Sequence, residues 1–409
     1  MKSKEISLVL IHILIAVVIA VTAEGSTWKG RELKAQWEKA WKWGPFRIQP
    51  MIIISDAGYD SNVYYQPNAV KDFWLTMGPA LKVYLPLRKK IVFQFSESPQ
   101  YVFFRKTTRE RTWNNYFSGQ LHILFSKFFF SLGGSLNNAR ERWNTEIDIR
   151  PMRKEQSLHG EMLYQQKNKI SLSVGIRWFK YDYESVEYAG FNVRELLSRQ
   201  ESYLNPVAYY QLTHRIRAFV EGEYGTFKFQ NPLSRRNSDS QALYAGFDFS
   251  TASKIRGKIR LGYKKFNSLD KGMPDYQGLM ADTNVSARLL RNLTVRGVYR
   301  RNVQFSIWFD NTFYLENWGG GGASLYFFRR KIRLDYDYNL GLNTYPATQL
   351  SGSSIKREDR YTVHSVGLYF RIKKDVGVGV TAGRWERSIN FYGWNAKREF
   401  VGLNLTYDF

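Results

Sequence analysis

The sequence predicts an all-β protein, a transmembrane antiparallel β-barrel, on three observations. The final stretch, Arg398–Phe409, carries apolar residues at every second position and ends on an aromatic residue. Such alternation gives a strand one apolar face and one polar face. Similar alternating stretches recur along the chain, and the amino terminus has the composition of an export signal. These features favour a last strand that faces lipid and pairs with the first strand, and the alternative is the last strand of a soluble sandwich.

Residues 1–23 have the pattern of a cleaved secretory signal peptide. Lys2 and Lys4 provide a positive start, Ile6–Val21 is largely apolar, and Val21-Thr22-Ala23 offers small residues for cleavage. The alternative is an uncleaved membrane anchor, but the apolar run is short of the ~20 residues that a spanning helix needs.

Residues 24–45 form a distinct leader before the barrel. Leu33, Trp37 and Trp41 recur at every fourth position among basic and acidic residues, which predicts one short amphipathic helix. Gly44-Pro45 would end it. Tryptophan and lysine anchor helices at membrane interfaces, so this periplasmic leader is expected to lie on the inner leaflet or to enter the barrel partly. The alternative is an unstructured leader.

Composition narrows the possible partners. No cysteine is present, which excludes disulfide scaffolds and cysteine-based metal or redox sites. Aromatic residues make up 16% of the chain, a surplus that interfacial girdles would use. The formal net charge is +24, which favours anionic partners such as lipopolysaccharide phosphates or acidic polysaccharide. Nucleic acid is not expected as a partner of an exported barrel.

Residues 46–409 are predicted to form the barrel, with about 18 strands. Short basic turns recur about every 40 residues, a spacing that a β-propeller blade would also show. Long polar connections alternate with these turns at Glu184–Gln200, Asn231–Ser240, Asn267–Asp275 and Pro346–Asp359. This alternation is typical of short periplasmic turns and long extracellular loops. Sixteen strands is the second choice, because Asn138–Arg153 and Asn302–Trp318 are irregular.

Strand alternation assigns a set of basic residues to the lumen. A basic side chain that faces lipid at mid-bilayer would cost ~2–4 kcal/mol, so these residues are expected to point inward. The lumen-lining candidates are Lys82, Arg177, Arg217, Arg256, Lys258, Arg260, Arg296, Arg300 and Arg333. They predict a wet passage that favours anionic or hydroxyl-rich solutes over cations. The alternative is a set of cross-strand ion pairs that only keep the inner wall hydrated.

The sequence gives little support for an enzyme. Barrel enzymes need a serine and a histidine together at the outer end of a strand, and His122, the one inward histidine considered as a base, is placed near the periplasmic end. No metal-ligand spacing, phosphate-binding loop or cofactor motif is present. We therefore expect no catalytic residue, metal or cofactor.

Two stretches near the start of the barrel resemble a known family. Ile52–Val63 reads IIISDAGYDSNV and Gly78–Leu87 reads GPALKVYLPL. The chain resembles the β-barrel porins of the "porin 2" type, in which a first strand runs into a Tyr-Asp-x-Asn-hydrophobic turn and the next strand carries Pro-x-Leu. Tyr59, Asp60 and Asn62 occupy the turn positions. The resemblance implies carbohydrate passage, because members are often associated with exopolysaccharide export clusters, and it defines no catalytic residue.

These observations together predict a porin-like channel in the outer membrane of a Gram-negative-type bacterium, passing anionic or polysaccharide solutes. The alternative is a structural or adhesive barrel that binds surface partners through its long loops. Expected partners are outer-membrane lipid, lipopolysaccharide and the barrel-assembly machinery. That machinery would read the last strand through Leu403, Leu405, Tyr407 and Phe409.

Overall fold

The computed structural model describes residues 27–87, 90–166, 169–249, 254–308, 311–349, 356–373, 376–390 and 393–408. The expected signal peptide and Phe409 lie outside these ranges. Within them, no helix has the length and apolar character needed to cross a membrane.

Eighteen antiparallel strands form one sheet that closes on itself, which confirms the predicted fold class and strand number. Each strand pairs with the next along the chain, and the last pairs with the first. The strands are β1 Phe46–Asp60, β2 Asp72–Leu87, β3 Ile91–Glu97 continued by Gln100–Phe104, β4 Thr112–Leu124, β5 Phe128–Arg140, β6 Met152–Gln166, β7 Ile170–Tyr183, β8 Arg199–Thr213, β9 Ile216–Phe229, β10 Ser238–Phe249, β11 Ile255–Ser268, β12 Tyr276–Arg288, β13 Leu293–Phe305, β14 Phe313–Phe327, β15 Ile332–Gln349, β16 Lys356–Arg371, β17 Val376–Ile389 and β18 Ala396–Asp408.

The remaining elements are short. Among the described residues, the two α-helices are α1 Trp28–Trp37 and α2 Val193–Leu197. One-turn 3-10 helices occupy Thr108–Glu110 and Phe328–Arg330, and Glu187–Tyr188 pairs with Phe191–Asn192 in a short hairpin. A three-residue strand, Trp41–Trp43, pairs with the start of β1. Trp41 is therefore 62% exposed on a strand rather than on the helix that its spacing from Leu33 and Trp37 predicts.

The two faces of the wall differ as alternation predicts. On β7, Leu172, Val174 and Ile176 are exposed on the outside, whereas Ser171 and Ser173 between them are buried on the inside. The same division holds on the other strands, where exposed apolar residues share one face. The outer surface is therefore an apolar band suited to acyl chains.

One predicted long loop is largely sheet. The stretch Pro346–Asp359 was expected to be an extracellular connection, but β15 continues to Gln349 and β16 begins at Lys356. Cross-strand register continues through Thr344 and Glu358, and Gln349 pairs with Lys356. Backbone pairing between two adjacent strands extends this hairpin beyond the membrane, which the polar side chains alone do not indicate.

The Tyr59–Asn62 turn follows β1 and contacts β18, and these are the two strands that close the barrel. Asp60 accepts hydrogen bonds from the backbone N–H of Asn62 at 2.8 Å and from the Arg398 guanidinium on β18 at 2.9 Å. The Asn62 side-chain amide donates to the Lys397 carbonyl at 2.9 Å. Both polar side chains are buried, while Tyr59 lies exposed on the outer face. The turn therefore fastens the outer end of the β1–β18 seam.

Candidate solute pathway through the barrel

The connection 141–151 between β5 and β6, here named L3, folds into the lumen and reaches the far wall. Asn343 on β15 donates a hydrogen bond to the Thr145 hydroxyl at 2.6 Å. Eight strands lie between β6 and β15 in either direction around the sheet of eighteen, so this contact spans the barrel. Ile147 at the tip of L3 is fully buried. L3 therefore constricts the outer half of the lumen.

A buried charge cluster holds L3 against β17. Both terminal nitrogens of Arg387 donate to Asp148, each at 2.7 Å, and Arg142 donates to the same carboxylate at 2.9 Å. The Arg142 guanidinium also stacks on Tyr65 and Trp385, 4.4 and 5.3 Å from the ring centroids. Burial lowers the pKa of Arg142, and Asp148 opposes that effect. Charged hydrogen bonds of this geometry are the strong ones, so the cluster fixes the loop.

Three loops pack together over the outer mouth. L4, residues 184–198, and L7, residues 306–312, bring apolar side chains onto the tip of L3. Ile147 contacts a buried cluster that includes Val193, Leu197 and Ile307, with Trp308 against its edge. Apolar burial of this kind is worth roughly 1.5–3 kcal/mol for each fully buried side chain. The outer mouth is therefore partly closed by a packed cluster rather than by loose loops.

A single buried carboxylate links L3 to L7. Glu146 accepts hydrogen bonds from the Ser306 hydroxyl at 2.8 Å and from the backbone N–H of Ile307 at 3.0 Å. Burial raises the pKa of Glu146 to about 7, and Arg357 and the two hydrogen bonds oppose the rise. Asp359, which pairs with Arg357 at 2.7 Å, adds to the rise. The charge of the link therefore changes near neutral pH.

We expect L3 docking to weaken as the pH rises. Because burial raises the Glu146 pKa in the docked loop, docking is strongest below the ordinary value of 4.5 and weakens as the pH rises to about 7. The difference corresponds to about 3 kcal/mol at most. Channel conductance should therefore increase between pH 5 and pH 8, and Glu146→Gln should remove the dependence. An unchanged pH profile in that variant would contradict the role of Glu146.

The leader helix α1 lies inside the opposite, periplasmic mouth. The Trp28 backbone N–H donates to the Gln165 side chain at 3.0 Å, Lys29 pairs with Glu161, and Arg217 stacks over the Trp28 ring at 3.6 Å. The buried face of the helix, Leu33 and Trp37, packs on inner-wall residues that include Tyr84, Val92, Leu124, Phe129 and Leu163. The helix thus covers the inner wall from β2 to β9 near the short turns.

A cavity of about 800 Å³ lies between these two obstructions, along β6–β13. Its wall carries an ion-pair network centred on Glu221 and Glu223 of β9. Arg260 donates to Glu221 at 2.8 Å, and Lys264 and Arg177 donate to Glu223 at 3.2 and 3.4 Å. A smaller cavity of about 260 Å³ lies beneath L3 and shares part of this wall. The wall offers hydrogen-bond donors and acceptors together with tyrosine rings.

Most of the predicted lumen-lining residues carry acidic partners. Arg177, Lys258 and Arg260 meet in the Glu221 and Glu223 network. Arg217 pairs with Asp248 at 2.9 Å, Arg296 with Asp337 at 2.7 Å and Arg333 with Asp335 at 2.9 Å. The inner wall is therefore less positive than a count of its basic residues indicates.

Three predicted residues stand apart from these pairs. Lys82 faces inward over the Tyr84 ring at 5.2 Å, on the β2 wall. Arg256 lies on the inward-facing alternation of β11, two positions before Lys258, near the periplasmic end. The Arg300 side chain is exposed on the inner face of β13, across from Asp282 on β12, and makes no hydrogen bond or ion pair with any described residue. Arg300 is thus the predicted residue best placed to meet a solute.

The buried inward histidine packs against an aromatic ring. His122 stacks on Phe129 with ring centroids 5.8 Å apart, and neither ring nitrogen has a hydrogen-bond partner among the described residues. No group of acidic, histidine or cysteine side chains within the described ranges is arranged to hold a metal ion.

Of the predicted assembly residues, Leu403 is exposed on the outer face of β18, and Leu405 and Tyr407 follow on the same face.

Sequence reasoning missed the acidic half of the network and the course of L3. The partners of Glu221 and Glu223 on β11 lie beyond β10, and only the register across β10 brings them together. The irregular stretches Asn138–Arg153 and Asn302–Trp318 do coincide with L3 and L7. A break in alternation was therefore the available signal for the inward loops.

Comparisons with known proteins agree with this architecture. Over 90% of this chain and 99% of that protein, the structure resembles Pseudomonas aeruginosa OccK7 (OpdD), with a TM-score of 0.51 and 9% identity. The outer membrane protein OpdK of Pseudomonas aeruginosa gives a TM-score of 0.50 at 8% identity, covering 88% of this chain and 98% of that one. Identities this low show a shared fold alone.

The curated proteins contain no significant match to this sequence. Residues 40–409 match the family model described as "Putative beta-barrel porin 2". The matched region starts just after α1. The match covers the whole barrel and includes the Tyr59–Asn62 turn. The chain therefore belongs to this family of porin-like outer-membrane β-barrels.

Proposed function

We propose that the protein is an outer-membrane channel for anionic or hydroxyl-rich solutes. The observation that carries the proposal is the wall of the two cavities, where basic residues outnumber acidic ones. The basic residues on the inward alternation of this wall are Arg153, Arg177, Arg199, Lys258, Arg260, Lys264 and Arg300, and the acidic ones are Glu161, Glu201, Glu221, Glu223 and Asp282. A modest positive excess favours anions without binding them too tightly to leave.

The chemistry of the wall also suits carbohydrate. Hydroxyl groups both donate and accept hydrogen bonds, and the Glu221 and Glu223 network presents both kinds of partner. Tyr203 and Tyr244 add rings beside Arg177 and Arg260, whose guanidinium groups lie 4.7 and 3.4 Å from the ring centroids. Short solutes fit the present lumen, whereas a polysaccharide chain would require L3 or α1 to move.

Ion selectivity in planar bilayers tests the proposal. In a KCl gradient the wild-type protein should show an anion-favouring reversal potential, and Arg300→Glu should lower the anion preference by roughly twofold or more. Arg384→Glu is the matched control, because Arg384 already pairs with Glu386 on the outer face of β17. A cation-selective wild-type channel, or an equal effect of the control, would contradict the proposal.

A structural or adhesive barrel is the second candidate, and the packed outer mouth favours it. L3, L4 and L7 cover the lumen there, and L4 presents the 187–192 hairpin beside α2. If adhesion is the function, the wild-type barrel will not conduct, and replacing residues 186–192 by a Gly-Ser linker will abolish surface binding. Conductance that survives this replacement favours the channel.

In this proposal the mature chain lies in a Gram-negative-type outer membrane, and residues 1–23 act as the signal that directs its export. Insertion by the barrel-assembly machinery through β18 is part of it, supported by the exposed apolar face at Val401 and Leu403. We also propose that the solutes include exopolysaccharide, and block of the channel current by acidic oligosaccharides would support this.

A further inference from the structure

One arc of the outer surface carries basic residues at the extracellular edge of the apolar band. We name this set the basic arc: Lys154 on β6, Lys180 on β7, Lys228 on β9, Lys265 on β11 and Arg301 on β13. Each lies within four residues of the extracellular end of its strand. Each also falls on the outward alternation of that strand. The arc therefore follows the rim of the barrel over nearly half of its circumference.

Aromatic residues mark the height of the arc relative to the membrane. Tyr263 and Tyr299 lie outward, two positions nearer the membrane centre than Lys265 and Arg301, and both are exposed. On β7, Trp178 likewise lies outward, two positions nearer the membrane centre than Lys180. Tyrosine and tryptophan at the end of an apolar band mark the membrane interface. The basic arc thus lies one step outside that interface, at the level of lipid headgroups.

Basic residues of the arc outnumber the carboxylates on the same face, those of Asp182 and Asp239. The side chains of Lys154, Lys228 and Lys265 are exposed and make no hydrogen bond or ion pair within the described parts of the chain, although Asp182 lies directly across from Lys154. Arg301 donates only to neutral acceptors, the Leu279 carbonyl at 3.0 Å and the Asn317 side chain at 2.7 Å. Lys180 does pair with a neighbouring carboxylate on the same face, that of Asp182, at 3.3 Å.

The opposite side of the rim differs. On β16–β18 three of the outward basic residues have acidic partners: Arg360 pairs with Glu358 at 2.9 Å, and Arg384 and Lys397 both pair with Glu386. A general need for solubility at the rim would be met by such pairs. On β6–β13 the five basic residues share their face with only two carboxylates, those of Asp182 and Asp239, and this excess of positive charge indicates an anionic partner at that height.

We propose that the basic arc binds the phosphates of lipopolysaccharide in the outer leaflet. Adjacent strands are ~4.8 Å apart, so basic residues on every second strand are spaced ~10 Å along the rim. Several arc residues can therefore contact one bisphosphorylated headgroup, with the acyl chains against the apolar band below. The surface does not depend on which solute the lumen carries.

Binding of the purified full-length barrel to defined lipids tests this proposal. Bisphosphorylated lipid A should bind at least roughly tenfold more tightly than lipid A stripped of phosphate. The combined variant Lys154→Gln, Lys228→Gln, Lys265→Gln and Arg301→Gln should reduce the first affinity to that of the second. Arg384→Gln with Lys397→Gln is the control, because those residues are paired, and it should bind as the wild type does.

Several results would overturn the assignment. Equal affinity of the wild-type barrel for the two lipids would remove the role of phosphate, and that comparison needs no variant to fold. An equal loss in the control pair would show a nonspecific effect of charge. Equally strong binding of phosphatidylglycerol vesicles would replace lipopolysaccharide by any anionic headgroup.

Discussion

Deletion of residues 28–37, the whole of α1, should raise the single-channel conductance by roughly twofold or more. The reason is the space that the helix occupies, since ten residues form a rod about 15 Å long and 10–12 Å across. That rod lies inside the periplasmic mouth, held by the Lys29–Glu161 ion pair and by Leu33 and Trp37. Planar-bilayer recordings of the variant and the wild type measure the effect.

The barrel itself should survive this deletion. No strand pairs with α1, and the eighteen-strand sheet closes through β1 and β18 without it. The cost is the loss of apolar burial around Leu163 and Val92, roughly 1.5–3 kcal/mol for each fully buried partner removed. A heat-modifiability gel checks that the variant remains folded.

The exposed side of the same helix provides the control. Lys34 makes only an exposed pair with Glu38 at 3.7 Å, so Lys34→Gln should leave the conductance unchanged. If removal of α1 also leaves the conductance unchanged, the periplasmic mouth does not limit flow. L3 would then be the principal constriction.

Asp148→Asn should release L3 from the far wall. The substitution leaves Arg387 and Arg142 buried without their shared carboxylate, and breaking a buried ion pair on one side costs roughly 3–5 kcal/mol. Because L3 can leave the lumen without unfolding the sheet, the loss should appear as undocking. Trypsin should then cleave after Arg142, which is protected in the docked loop, and the conductance should rise.

A second pair of similar geometry serves as the control. Arg235 donates two hydrogen bonds to Asp270 at 2.8 and 3.0 Å, but this pair is exposed between two outer loops. Exposed ion pairs contribute little to stability, so Asp270→Asn should change neither cleavage of L3 nor conductance. Equal protection of L3 in the Asp148 variant would show that its apolar contacts at Ile147 suffice for docking.

Strand alternation was enough to predict the barrel. Arg177, Arg260 and Arg333 all lie on the predicted inner face, because a one-residue change of register would turn a charge toward lipid. Alternation did not predict which of them are neutralised. Pairing of Arg260 with Glu221 requires the register of β9, β10 and β11 together, and that register is a property of the closed sheet.

In the leader, too, local sequence predicted the element but not its contacts. Its helix was predicted from the spacing of apolar residues, but Trp41 belongs to a strand because backbone pairing with β1 is available there. Neither the entry of α1 into the mouth nor the binding of its Trp28 by Arg217 and Gln165 follows from local sequence.

The sequence by itself determined the class of fold, the number of strands and the inward or outward direction of their side chains, since these follow from a period of two and from the cost of charge in lipid. Only the tertiary structure decided what occupies the lumen. L3 crosses the lumen, and its Asp148 pairs with Arg387 on β17. Glu146 joins L3 to L7. Both contacts are made between residues that are far apart in the chain. Such contacts depend on barrel closure, which brings distant strands face to face.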